Sequence, residues 1–120
     1  MNSDKGFEHK GIMEWNVSSG EIVWSDEAYK ILGIVPGGAP FSLDDFFNHV
    51  HDDDREITKR AIIIALENKI SNIFNFRFIR PDRGSELFIH STWHVEGDGS
   101  GEAVKITGIL QDVTKRGITA

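Results

Sequence analysis

The side chains with the most chemical reach in this chain are its five histidines and nineteen carboxylates. His49 and His51 stand beside Asp52, Asp53 and Asp54, a mixture able to hold a hard or borderline cation. The same run also reads as a loop histidine followed by acids that cap a helix, and that reading is the stronger. His90 and His94 fall on one face of a strand-like stretch, about 13 Å apart by strand rise, too far to share a metal. Other carboxylates sit at helix starts or exposed turns, where they keep ordinary acidity and act as caps rather than as general acids. Ser91 has no activating neighbour in sequence. The glycines of residues 97–102 lie between strand-like runs, not at the opening of a helix, so they form no phosphate cradle. With no cysteine, thiol nucleophiles, disulfides and thiolate metal sites are excluded, and the chain suits a reducing compartment. The sequence thus nominates no catalytic residue and no metal ligand set; a small-molecule enzyme or a metal site is the weakest reading.

Charge and hydropathy narrow the partners. Thirteen Lys and Arg against nineteen Asp and Glu give a net charge of −6, which repels phosphate backbones, so nucleic acid is not an expected partner. The longest apolar run, residues 61–66, is far short of the ~20 residues a membrane span needs. The polar opening MNSDKGFEHK lacks the apolar stretch of a signal peptide. A cytoplasmic domain with no membrane insertion by this segment is expected, and 120 residues suffice for a single core.

The elements that must position these residues follow in order. Residues 1–10 have no periodicity and read as a flexible N-terminal arm. Two short strands flank the turn cluster Ser18, Ser19 and Gly20. SDEAYKILG carries a cap, Ser25 or Asp26, and a left-handed stop, Gly33. After a Pro- and Gly-rich loop, Ser42 and Asp45 open a second short helix in the manner of a capping box. The strongest helix follows His51, with Ile57, Ala61, Ile64 and Ala65 at helical spacing and Ile62 and Leu66 widening the apolar stripe; Glu56 and Arg60 form a solvent-facing pair. From residue 72 the period is two. Phe74, Phe76 and Phe78, then Leu87, Ile89, Ser91, Trp93 and Val95, face the core, and a final strand runs to Val113. Two strands, several helices and three strands predict an α+β fold: a five-stranded antiparallel sheet with helices packed on one face.

Five short motifs in order, WNVSSGEIVWS (15–25), ILG (31–33), VHDDDR (50–55), FRFIRPDRG (76–84) and GILQDVT (108–114), resemble a PAS domain, over almost all of residues 11–116. Asn16 stands where that family usually has an acid, Asp52 where it has proline, and Arg83 is inserted between the Asp and Gly of a strand turn. The resemblance implies a sensory or relay module within a larger cytoplasmic signalling protein, itself not an enzyme. Residues 117–120 would begin a linker to an output domain in the same polypeptide, such as a histidine kinase or a cyclic-dinucleotide enzyme. A module that only dimerises, without ligand, is the alternative.

The resemblance also assigns sites. A ligand pocket would lie between Phe74, Phe76, Phe78, Ile89, Trp93 and Ile106 on the sheet and Phe46, Phe47, Ile62 and Leu66 on the helices, with Ser91, Thr107 or Gly108 as small or polar inward positions. A filled aromatic core is the competing expectation. Gly108, Asp112 and Thr114 would form the signal-output junction. Phe88, His90, Ile109 and Val113 would form an outer-face patch for a homodimer, which the N-terminal arm could also serve. The cofactor is left open. Some members of the family hold haem through a helical histidine, here His49 or His51, yet no local signature favours it. A flavin–cysteine adduct is excluded because the chain has no Cys.

Overall fold

Two serines start the first two helices. Ser25 Oγ accepts the Ala28 N–H and also the Ile12 N–H, so one hydroxyl caps a helix and ties it to a strand. Ser42 Oγ accepts the Asp45 N–H at 3.0 Å while the Asp45 carboxylate accepts the Ser42 N–H at 3.0 Å, completing the expected capping box. The backbone bond from Ser42 holds the Asp45 carboxyl below its usual range.

The computed structural model describes residues 10–38, 40–97, 99 and 103–114. Its elements are β1 (Lys10–Asn16), β2 (Ile22–Trp24), α1 (Asp26–Leu32), α2 (Leu43–His49), α3 (Asp52–Asn68), β3 (Asn72–Ile79), β4 (Glu86–Gly97) and β5 (Ala103–Asp112). The strands form one sheet in the order β2-β1-β5-β4-β3, antiparallel at every step, which is the α+β architecture expected. β1 begins at Lys10, paired with Gln111, one residue before the expected domain start. The expected arm at 1–9, most of the turn at 97–102, Lys115, Arg116 and the linker at 117–120 lie outside the described residues.

α1 ends at Gly33, whose φ of 75° lets its N–H reach the Tyr29 carbonyl. The end of α2 is closed by a cation: Arg55 Nε donates to the Phe47 carbonyl and Nη2 to the Val50 carbonyl, both at 2.9 Å. α3 is capped by His51, whose Nδ1 accepts the Asp53 N–H at 3.0 Å. The acids fill its first turn rather than serving as the cap.

The face that α3 buries differs from the expected one. Thr58, Ile62 and Ala65 are buried, whereas Ile57 is 72% and Ile64 45% exposed. Asp54 causes this: its carboxylate is bonded to Arg77 on β3, and 100° helical steps then place Thr58, Ile62 and Ala65 over the sheet. Thr58 tolerates burial because its hydroxyl donates to the Asp54 carbonyl at 2.7 Å. Glu56 and Arg60, expected to pair, form no ion pair with each other.

β3 and β4 alternate as expected, Phe74, Phe76, Phe78, Leu87, Ile89, Ser91, Trp93 and Val95 all facing the core. β1 alternates too, through Gly11 and Met13. Gly11 is inward because α1 crosses directly above it: a Cβ there would lie 2.6 Å from Ala28 Cα. Gly11→Ala is therefore expected to lose about 1–3 kcal/mol, read as a fall of roughly 4–12 °C in Tm by calorimetry. An unchanged Tm would mean that α1 does not rest on β1.

Candidate functional site

β3 is an edge strand, and some of its outward backbone groups have partners. The Arg77 N–H donates to Asp54 Oδ2 at 2.8 Å, and the Arg77 carbonyl accepts the His51 N–H at 2.8 Å. Further along, the Ile73 N–H donates to Asn72 Oδ1 at 2.8 Å. An edge closed this way is a poor template for another strand. The Arg77 guanidinium completes the clasp, Nε donating to Asp54 Oδ2 at 2.9 Å and Nη2 to Oδ1 at 2.8 Å. These Arg77 bonds hold the Asp54 carboxyl below its ordinary range, more than offsetting its partial burial, and keep Arg77 above its own. His51 Nε2 lies 3.6 Å from Glu86 Oε2, so the start of β4 joins the cluster.

The end of β5 lies close by. Val113 N–H donates to the Phe88 carbonyl at 2.9 Å, and Phe88 N–H donates to Thr114 Oγ1 at 2.8 Å. Asp112 Oδ1 in turn accepts the Thr114 N–H at 2.9 Å and the Thr114 hydroxyl, which turns that oxygen's lone pairs toward Phe88. Asp112 and Thr114, assigned from sequence to the output junction, thus form one bonded unit. Gly108 lies further up the strand, where a Cβ would sit 3.2 Å from Trp93 Nε1 and 3.3 Å from Met13 Cε; the chain passes close beneath the indole. Between clasp and junction opens a pocket of about 190 Å3, mostly apolar, lined by Asp54, Arg77, Phe88 and Val113 among others. Neither Asp54 nor Val113 had been assigned to a pocket, because no period or motif brings residues 54 and 113 together.

The expected ligand-pocket residues occupy the interior. Phe46, Phe47, Ile62, Phe74, Phe76, Phe78, Ile89, Ser91, Trp93 and Ile106 are buried, and Leu66 is half-buried. They pack ring against ring: Phe46 lies 5.5 Å from each of Phe47, Phe76 and Phe78, and Phe74 meets Trp93 edge-on at 5.5 Å. The Ser91 hydroxyl accepts the Trp93 indole N–H at 2.6 Å, so the polar group on this wall is already engaged by a core side chain. Thr107 does not face inward. Ile106 and Gly108 do, and a period of two sends Thr107 to the outer face with His94 and Glu14.

The outer sheet face also differs in detail. Ile109 is 40% exposed and heads a cross-strand row with Ile12 on β1 and, through Thr92 on β4, Ile73 on β3. Val113, expected in that patch, is buried because its N–H is drawn onto Phe88. Phe88 is half-buried, and the half-buried His90 bonds through Nδ1 to Asn75 Oδ1 at 2.8 Å. Ile12 and Ile73 were missed: the first run does not alternate cleanly, and although the alternation of Phe74, Phe76 and Phe78 turns Ile73 outward, only the strand register aligns it with Ile109. His49 and His51 diverge: His49 stacks on Phe41 and leans on Phe78, while His51 caps α3. His51 faces the Asp53 N–H through Nδ1 and Glu86 through Nε2 at 3.6 Å, and His49 packs beside Phe41 and Phe78. Among the described residues no group of three or more His, Asp or Glu converges as a metal site would, and no helix is long and apolar enough to cross a membrane.

A protein-family model described as the PAS fold matches residues 21–110. Among solved structures, a sensory box histidine kinase/response regulator from Burkholderia thailandensis superposes with a TM-score of 0.78 at 23% identity, covering 97% of this chain and 86% of that one. The N-terminal domain of a diguanylate cyclase with PAS/PAC sensor from Marinobacter aquaeolei superposes at 0.79 with 20% identity, covering 89% and 97%. An RNA-binding light-oxygen-voltage receptor superposes at 0.78 with 20% identity over 89% of this chain, which spans 30% of the receptor. No curated protein matches the chain.

Asp54→Asn removes the charge that holds Arg77 and is expected to cost about 1–3 kcal/mol of stability at pH 7 by denaturant titration. Because the folded Asp54 carboxyl titrates lower than in the unfolded chain, its contribution is complete above an unfolded value of about 3.9 and fades as pH falls below that. The gap between wild type and variant should therefore hold from pH 7 to 5 and narrow in acid. A gap that widens in acid would contradict the clasp.

Proposed function

Because this chain belongs to the PAS fold family, we propose that it is the sensory or relay module of a cytoplasmic signal-transduction protein. It binds a small ligand or a partner and passes the change along β5 to an output domain in the same polypeptide. The kinase and cyclase named among the similar structures support a histidine kinase or a cyclic-dinucleotide enzyme as that output. Any catalysis belongs to the output domain.

The observation that carries this reading is the fastening of β5. The strand lies in the middle of the sheet, bonded to β1 and β4, and its end is tied to Phe88 by the Val113 N–H and the Thr114 hydroxyl oxygen. Each such bond contributes about 0.5–1.5 kcal/mol net. An occupant that prefers the fastened or the released arrangement by roughly ten- to a hundredfold would then suffice to shift it. The 190 Å3 pocket beside Val113 is a place for such an occupant. A second reading, a ligand-free dimerisation module, draws on the exposed row of Ile12, Ile109 and Ile73, which a second copy would cover.

Native mass spectrometry of the purified chain is expected to show either retained mass or a dimer; an apo monomer at every concentration would remove both readings. In the full-length protein Asp112→Ala is expected to change output while shifting the isolated domain's Tm by less than about 3 °C, since Asp112 is exposed and only orients Thr114. A large fall in Tm would make Asp112 a structural latch instead.

A further inference from the structure

One imidazole stands where three elements meet. His51 Nδ1 accepts the Asp53 N–H at 3.0 Å and so caps α3, its backbone N–H donates to the Arg77 carbonyl on β3 at 2.8 Å, and its Nε2 lies 3.6 Å from Glu86 Oε2 at the start of β4. A ring nitrogen accepts a hydrogen bond only when it carries no proton, so this cap belongs to the neutral ring with its proton on Nε2. The other two helices are capped by Ser25 and Ser42, whose hydroxyls do not titrate. A histidine in that place ties the start of α3 to a group that changes charge between about pH 5 and 8.

Charged groups reach this ring from every element around it. α3 brings Asp52, Asp53, Asp54 and Arg55, β3 brings Arg77, β4 brings Glu86, and the end of α2 brings His49. Both arginines are committed, Arg55 to Asp52 and Arg77 to Asp54, each at 2.8 Å. Among the described residues Asp53 and Glu86 have no ion-pair partner other than His51, Asp53 Oδ2 lying 4.0 Å from Nδ1. A protonated ring thus has one uncommitted carboxylate beside each nitrogen. These two acids offset the disfavour of a cation at the positive end of α3. The side chain is 27% exposed and borders a hollow of about 370 Å3 that Asn48, His49 and Arg55 also line, which leaves the ring room to turn.

We propose that His51 is a proton-operated latch between the start of α3 and the β3–β4 hairpin. Neutral, it caps α3. Taking one proton on Nδ1, it releases the Asp53 N–H to water and pairs as a cation with Asp53 and Glu86. A bond inside the helix start is thereby exchanged for one between helix and hairpin. The latch adjoins the Asp54–Arg77 clasp and the pocket that Asp54 lines. It requires no ligand and stands whether or not β5 relays a signal.

NMR of the 120-residue chain, with isotope-labelled backbone and histidine rings, reads both states. At about pH 8 the His51 ring is expected to carry its proton on Nε2, with the Asp53 amide hydrogen-bonded. Between about pH 8 and 5 the Asp53 amide signal should move in step with the ring, and its protection against hydrogen exchange should fall at least about fivefold. His51→Asn keeps a cap that does not titrate and should hold the Asp53 amide still over the same range. Glu86→Gln removes an acceptor of the cation and should retain more of the cap at about pH 5.5 than the wild-type chain does. A neutral ring protonated on Nδ1, an Asp53 amide that does not follow the ring, or one that still shifts in His51→Asn would overturn the proposal. A Glu86→Gln chain that titrates as the wild type does would also overturn it, leaving His51 a cap with no tie to the hairpin.

Discussion

β5 is the last strand in the chain and the third in the sheet, with β1 on one side and β4 on the other. The rest of the structure depends on that placement. Without β5 the sheet would separate into a β2–β1 ribbon and a β3–β4 hairpin, and the inner faces of Met13 and Trp93, which meet at Gly108, would lose their common floor. Closing β1 onto β5 brings together residues about a hundred positions apart, a loop whose entropy must be met by the pairing on both edges. The last of the described strands is therefore also the strand that completes the sheet.

Several of this chain's charged residues act as fasteners of element ends. Asp45 caps α2, and Arg55 closes its other end. Asp54 joins the first turn of α3 to the edge strand through Arg77. Arg80 and Asp82 pair over Gly33, where even a Cβ would come within 2.5 Å of the carboxylate, so the β3–β4 turn is pressed onto the end of α1. These contacts hold three helices over the sheet at defined points. The pocket lined by Asp54 and Val113 opens between the Asp54–Arg77 clasp and the end of β5.

Local signals in the sequence carried over well. Ser25 with Gly33 and Ser42 with Asp45 bounded two helices, the alternation from Phe74 to Val95 fixed the inner face of β3 and β4, and the ordered motifs pointed to the family. What failed was set by contacts distant in sequence. The rotation of α3, which puts Ile57 and Ile64 outside, follows from a bond between residues 23 apart. The burial of Val113 follows from its bond to Phe88. Thr107 was misplaced because it was read by its small polar side chain and not by the period of two that an inward Ile106 sets. His51 reads as a candidate ligand in sequence and is a helix cap in space, a role that only the position of the Asp53 N–H reveals.

The proposed role of β5, a transmitting strand rigid within and releasable at its end, has a direct signature in native-state hydrogen exchange. Amides in the interior of β5, from Lys105 to Leu110, should open only with global unfolding, whereas the Val113 N–H, held by one bond to Phe88, should open at a free energy lower by about 2 kcal/mol or more. Exchange of Val113 at the global rate, or a β5 interior as labile as its end, would contradict a junction that switches independently of the shell.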